Sequence, residues 1–219
     1  MTRLVVFDCD GTLVDGQANI CIAMERAYDG DGLTPPDRHA IRRIVGLSVQ
    51  DAVAVLSPAL DAAAHLRLAE AFKAHFQALR TSALFQAEPL YEGIRELLAG
   101  LASAGWVLGV ATGKSDRGLR LVLEHHGLAD HFVTLQTADR HPSKPHPAMI
   151  HAAIAQADAT PETTIMIGDT SYDMAMAVAA GVHPVGVDWG YHDRDELVAA
   201  GARFVADHAR DLTRYLEHA

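Results

Sequence analysis

Short apolar runs rich in valine, isoleucine and threonine return along this chain at residues 4–8, 107–112, 132–137, 164–169 and 184–187. Each is too short for a helix and rich in residues that suit a pleated, buried surface, so each predicts a strand. Between the later runs, apolar residues recur at helical spacing. Ile94, Leu97, Leu98 and Leu101 make the clearest such face, and further helices are expected over 116–126, 148–157 and 172–180. Strands alternating with helices specify an α/β fold: a doubly wound, Rossmann-like parallel sheet with helices on both faces.

Residues 16–85 break that alternation. They carry helical patterns at 18–28, 38–45, 49–56 and 61–79 and no strand pattern, with Pro35-Pro36 and Ser57-Pro58 as helix boundaries. The stretch holds enough Leu, Ile, Val and Phe to bury a small core of its own. The expected division is therefore a core of residues 1–15 and 86–219, interrupted after its first strand by a helical domain of residues 16–85.

A net charge of -10 argues against nucleic acid or a membrane surface as partner, since both call for a basic face. It leaves room for a local basic pocket that takes a small anion. Cys9 and Cys21 have neither metal-ligand spacing nor a disulfide framework and suit a reducing compartment. No apolar run approaches the ~20 residues that span a bilayer. A cytoplasmic protein, monomeric or homodimeric, is the expectation.

The chemistry-bearing residues collect at the carboxyl ends of the expected strands, where open α/β sheets bind ligands. The first strand ends in Asp8-Cys9-Asp10-Gly11-Thr12, the second in Thr112-Gly113, and the fourth in Gly168-Asp169, with Asp173 close behind. Lys144 lies in a proline-rich loop just before an expected helix. Burying unpaired acids is costly, so Asp8 and Asp10 should meet a cation or hydrogen-bond donors at this rim. Cys9 should point away from both, into the sheet packing, because side chains alternate along a strand.

Four motifs in order, DCDGT, VATGK, SKPHP and IGDTSYDMAMAVAAG, resemble those of the haloacid dehalogenase-type phosphohydrolases. The flanking PLYEGIRELLAGLASAGW and WGYHDRDELVAAGA are similar to the phosphoglycolate phosphatase-like branch, which carries a helical cap after the first motif. The resemblance spans nearly the whole chain. It implies a Mg²⁺-dependent phosphatase acting on a small phosphorylated metabolite through an aspartyl-phosphate. Asp8 would be the nucleophile, ionised at neutral pH without help because a free Asp has a pKa of ~3.9. Asp10 would protonate the leaving group and later activate water. Mg²⁺ would be held by the Asp8 carboxylate, the Asp10 backbone carbonyl and Asp169. Asp173 would hold a metal-bound water or orient Lys144, which neutralises charge on Asp8 and the phosphoryl group. Thr112, the amide of Gly113 and the turn at Gly11 would receive the phosphate oxygens. Arg42 or Arg43, in the expected cap, could grip a carboxylate or second phosphate of the substrate. Lys114 is secondary to Lys144 as a phosphate contact.

Competing readings stay on the same fold. A β-phosphoglucomutase-like isomerase would carry a Glu-Asp pair where this chain has Gly168-Asp169. A phosphonatase would need a Schiff-base lysine from the cap, and Lys73, its only lysine, sits mid-helix. Pyrophosphate is a further substrate to weigh. A phospho-receiver module would be about half this length and would need no acid two residues past Asp8.

Overall fold

The computed structural model describes residues 1–217. Six parallel strands form one sheet: β1 (Thr2–Phe7), β2 (Val107–Thr112), β3 (Thr134–Thr137), β4 (Ala159–Gly168), β5 (His183–Val187) and β6 (Phe204–Ala206). Their order is β3-β2-β1-β4-β5-β6, so β1 is central and the chain switches sides across it. That switch point is where a doubly wound sheet opens a crevice at its carboxyl edge.

The pleat of β1 sends alternate residues to two separate cores. Val5 and Phe7 join Val110, Ile165 and Ile167 under α5 (Ile94–Ser103), α6 (Asp116–His125) and α10 (Ala209–Leu216). Leu4 and Val6 join Met166 under α7 (Ala148–Ala157) and α8 (Ser171–Ala179). Both faces of β1 are sealed, which is why it reads as a continuous apolar run. Cys9 is fully buried in the first of these cores, as its place between two acids predicts.

Between β1 and α5 lies the helical insert: α1 (Gln17–Gly30), α2 (Arg38–Arg43), α3 (Val49–Leu56) and α4 (Ala62–Leu79). Its core is built from Ile20, Met24, Tyr28, Ile41, Val53 and Leu68. Asp37, Ser48 and Asp61 cap the second, third and fourth helices, each accepting from a backbone N–H three residues on. The chain returning from the insert meets the outgoing chain at Leu90, which pairs with Val14 in an isolated antiparallel bridge.

Several boundaries differ from the sequence expectation. The third strand starts at Thr134, because residues 129–131 form a 3-10 turn that ends at Phe132. The fourth starts at Ala159, running past Pro161 at an irregularity opposite Thr2 and Leu4. The second helix stops at Arg43 rather than Val45, and Gly46 turns the chain with φ +102°. The three-residue strand β6 and the helix α9 (Arg194–Ala199) were not expected, nor was the last helix.

Candidate active site

Ladder geometry sets the first acid. β1 ends at Phe7, and the Asp8 N–H still donates to the Ile167 carbonyl at 2.9 Å, so Asp8 is held in register as it leaves the sheet. Its Oδ1 accepts from the Cys9 N–H at 2.7 Å and lies 2.8 Å from Lys144 Nζ. The same ammonium lies 2.7 Å from Asp173 Oδ1. Thr170, the N-cap of α8, donates its N–H and hydroxyl to Asp173 Oδ2 at 3.1 and 2.7 Å. Helix capping therefore fixes the carboxylate that positions the lysine.

The third acid is held from two sides. Thr12 Oγ1 donates to Asp169 Oδ1 at 2.7 Å, and the Tyr191 N–H donates to Oδ2 at 3.0 Å. Three glycines make the room. Gly11 has φ +87°, and a Cβ there would overlap the Asp169 carboxylate. A Cβ at Gly190 would overlap Asp169 from the other side, and one at Gly168 would overlap Asp173. Gly113, beside the buried Thr112, faces the backbone carbonyls of Gly46 and Leu47, so the insert rests directly on this strand end.

Burial dominates the electrostatics. It pushes the Asp8 pKa up to about 7, opposed by Lys144 and reinforced by Asp173. The unaided ionisation expected of a free aspartate therefore does not carry over to this buried setting. Asp169 is also held well above the carboxylate range by burial, then by Asp8 and Asp173. Burial disfavours the Lys144 ammonium, but Asp173 and Asp8 more than offset it and raise its pKa. Two carboxylates thus flank one ammonium, and Asp8, Asp169 and Asp173 each offer an oxygen within 4.8 Å of the others. Asp8 Oδ2 is buried without a hydrogen-bond partner among the described residues. A free hard oxygen in an acid cluster of excess negative charge fits Mg²⁺.

Asp10 sits to one side of this trio. Its Oδ1 lies 3.0 Å from Lys114 Nζ, and the two side chains are 8% and 9% exposed. Burial raises the Asp10 pKa, Lys114 opposes the rise, and Glu88 adds to it. Lys114 therefore belongs to the site through its pairing with Asp10, a partner that the sequence did not assign to it. Its position in VATGK, at the end of the second strand, was the available signal. Glu88 had none. It lies on the second linker, where Asn19 Nδ2 donates to its Oε1 at 3.1 Å.

The two arginines of the insert lie at its edge. Arg42 Nη1 donates to Gln17 Oε1 at 3.2 Å. Arg43 spans to the core, pairing with Glu196 and donating to the Tyr191 carbonyl at 3.4 Å. His192 Nε2 lies 2.9 Å from the Arg43 carbonyl, and the Ser171 N–H donates to the same ring's Nδ1 at 3.2 Å. With the Ser48 N–H donating to Ser143 Oγ at 2.7 Å, the insert is tied to the core on either side of the site. Tyr191 and His192, both in the WGYHD stretch, belong to this junction although sequence reasoning gave neither a role.

A buried lysine paired with Asp8 and Asp173, with Asp169 beside them at the switch point, marks the ligand site of this Rossmann-like fold. Comparison narrows this: the chain belongs to the haloacid dehalogenase-like hydrolase family, whose family model matches residues 5–187. It is 37% identical over 94% of its length to the probable phosphatase IndB of Dickeya dadantii, covering 90% of that protein. It is 34% identical over 99% of its length to a phosphoglycolate phosphatase of Rhodospirillum rubrum, covering 91% of it. The crystal structure of a hydrolase from Pseudomonas syringae superposes with a TM-score of 0.86 at 26% identity, over 99% of each chain. No described helix is long and apolar enough to cross a membrane.

Proposed function

We propose that this enzyme hydrolyses the phosphomonoester of a small metabolite, phosphoglycolate being the first candidate, through an aspartyl-phosphate on Asp8. The observation that carries the reading is Asp8 itself: buried at the end of the central strand, one oxygen against Lys144 and the other free. The phosphatases among the chain's relatives support it, and the phosphoglycolate phosphatase of R. rubrum supplies the substrate candidate.

An Asp8 oxygen attacks phosphorus, and the bond from phosphorus to the leaving oxygen breaks. Lys144, held by Asp173, offsets the charge of nucleophile and phosphoryl group together. Thr112 and the Gly113 N–H stand at the neighbouring strand end to donate to the phosphoryl oxygens. Asp10 gives its proton to the leaving alkoxide, then takes one from the water that cleaves the aspartyl-phosphate. The Asp8 and Asp169 carboxylates and the Asp10 carbonyl would hold Mg²⁺, which would supply the neutralisation that lets one anion approach another. Residues 16–85 act as a cap that closes over the phosphate and keeps bulk water out. The Glu-Asp pair of the mutase-like branch would put a side chain at Gly168 that overlaps Asp173, which favours the phosphatase reading.

The test is hydrolysis of p-nitrophenyl phosphate with and without Mg²⁺, followed by ranking of phosphoglycolate, sugar phosphates, nucleotides and pyrophosphate by kcat/KM. Asp8→Asn should lower kcat by a factor on the order of 10⁴ or more, and Asp10→Asn by about a hundredfold or more. Wild-type protein inert toward every ester, or Asp8→Asn with full activity, overturns the proposal.

A further inference from the structure

The four acids of the site are not held alike. Asp8 accepts from the Cys9 N–H, Asp169 from Thr12 and the Tyr191 N–H, and Asp173 from Thr170. Asp10 Oδ1 is buried too, but no such donor reaches it among the described residues. Its polar neighbour is the Lys114 ammonium at 3.0 Å. The same oxygen lies against the α-carbon of Gly16, where a Cβ would come within 2.5 Å of it. The carboxylate assigned as general acid is therefore set by one ammonium and by the first residue of the insert.

Lys114 can set a carboxylate because its own backbone is fixed. β2 ends at Thr112, and the Lys114 N–H donates back to Thr112 Oγ1 at 3.2 Å. The Lys114 carbonyl accepts from the Ala138 N–H at 3.3 Å, just past the end of β3. Its ammonium lies 5.7 Å from the centre of the Phe76 ring, on α4 of the insert. An ammonium over an aromatic face is attracted to it, so the insert steadies a cation whose stem is anchored in the core. Water loosens an exposed ion pair, and little of it reaches this one, with side chains 9% and 8% exposed.

Resting on the phosphatase reading above, we propose that Lys114 is a positioning residue for the general acid: it aims the Asp10 carboxyl at the ester oxygen without itself touching the substrate. As Asp8 bonds to phosphorus and the ester P–O bond breaks, the Asp10 proton passes to the departing oxygen. A carboxyl that swings away misses that oxygen, and a misplacement of about 1 Å costs roughly a hundredfold in rate. The loss falls only where the proton matters. An alkoxide leaves poorly without one, whereas p-nitrophenolate leaves unprotonated.

The experiment measures kcat/KM, which reports the steps up to aspartyl-phosphate formation, at saturating Mg²⁺ for the best alkyl ester of the panel above and for p-nitrophenyl phosphate. Lys114→Met should lower the alkyl value by about 10- to 100-fold and leave the aryl value nearly unchanged. Lys114→Arg, which keeps the cation, should recover part of the loss. Gly16→Ala, whose methyl must displace Asp10 Oδ1, should show the same selectivity. On the alkyl ester, Lys114→Met combined with Asp10→Asn should be no worse than Asp10→Asn alone. Penalties that multiply in the double variant make Lys114 a direct substrate contact and overturn the inference. So do equal losses on both esters, the mark of a structural lysine; if Lys114→Met does not fold, Lys114→Gln carries the same comparison. A wild type inert toward every ester overturns the phosphatase reading and this inference together, and so is told apart from failure of the lysine's role alone.

Discussion

Asp173 packs its Cβ and carboxylate against the α-carbon of Gly168, and its other oxygen steadies Lys144. The smallest residue in the fourth motif therefore governs the placement of the lysine. Gly168→Glu should expel Asp173, release Lys144 from Asp8 and lower kcat by about 10² to 10³, measured on p-nitrophenyl phosphate at saturating Mg²⁺. A variant with wild-type kcat would show that Asp173 does not set the lysine. At this scale the sequence was readable where residues sit in ordered motifs at strand ends: Asp8, Asp10, Thr112, Lys144 and Asp169 all reach one rim. Lys114 was visible in VATGK but its pairing with Asp10 was not, nor was the contact of Tyr191 with Asp169, because both depend on how a loop turns. Short spacing cannot encode that direction, and Glu88 reaches Asp10 only through the fold of a linker.

Elements show the same contrast between local and distant information. The insert's helices carry their own caps and apolar faces, so they could be read one at a time; β6 is three residues long at the sheet edge and offers no pattern. Arg43 is the instructive case. Its helix was visible, but its partner Glu196 lies 153 residues away on a helix that was not. As the side chains are 27% and 41% exposed, this bridge contributes at most about 1 kcal/mol. Its value is in seating the insert. Arg43→Ala and Glu196→Gln should each raise KM for phosphoglycolate, and the double variant should be no worse than the poorer single one. Additive effects would separate Arg43 from Glu196 and return the arginine to direct substrate contact.

Over the whole molecule, the buried acids tie stability to pH and, on the proposed function, to Mg²⁺. A carboxyl that holds its proton more tightly folded than unfolded contributes stability that is complete below its unfolded pKa and lost as pH rises through the folded value. For Asp8 that window runs from 3.8 to about 7. With EDTA, Tm should therefore fall as pH rises through this window, and Asp8→Asn should flatten the fall. Saturating Mg²⁺ should raise Tm most at the upper end, where the acids are ionised. A Mg²⁺ effect of equal size at both ends of the window would disconnect the metal from these acids.

The bridge between Val14 and Leu90 has a further consequence. The Asp15 N–H donates to the Pro89 carbonyl and the Tyr91 N–H to the Leu13 carbonyl, so the outgoing and returning chains are stitched together within a few residues of Asp10. The insert hangs from the sheet through a single doorway. The six strands take their register from one another, and past that doorway the insert touches the core at the contacts of Gly46, Leu47, Ser48 and Arg43 described above. Asp8, Lys144 and Asp169 are fixed by strands and by α8 rather than by the insert, so on the proposed function the helices hung there could change while the reacting groups stay in place.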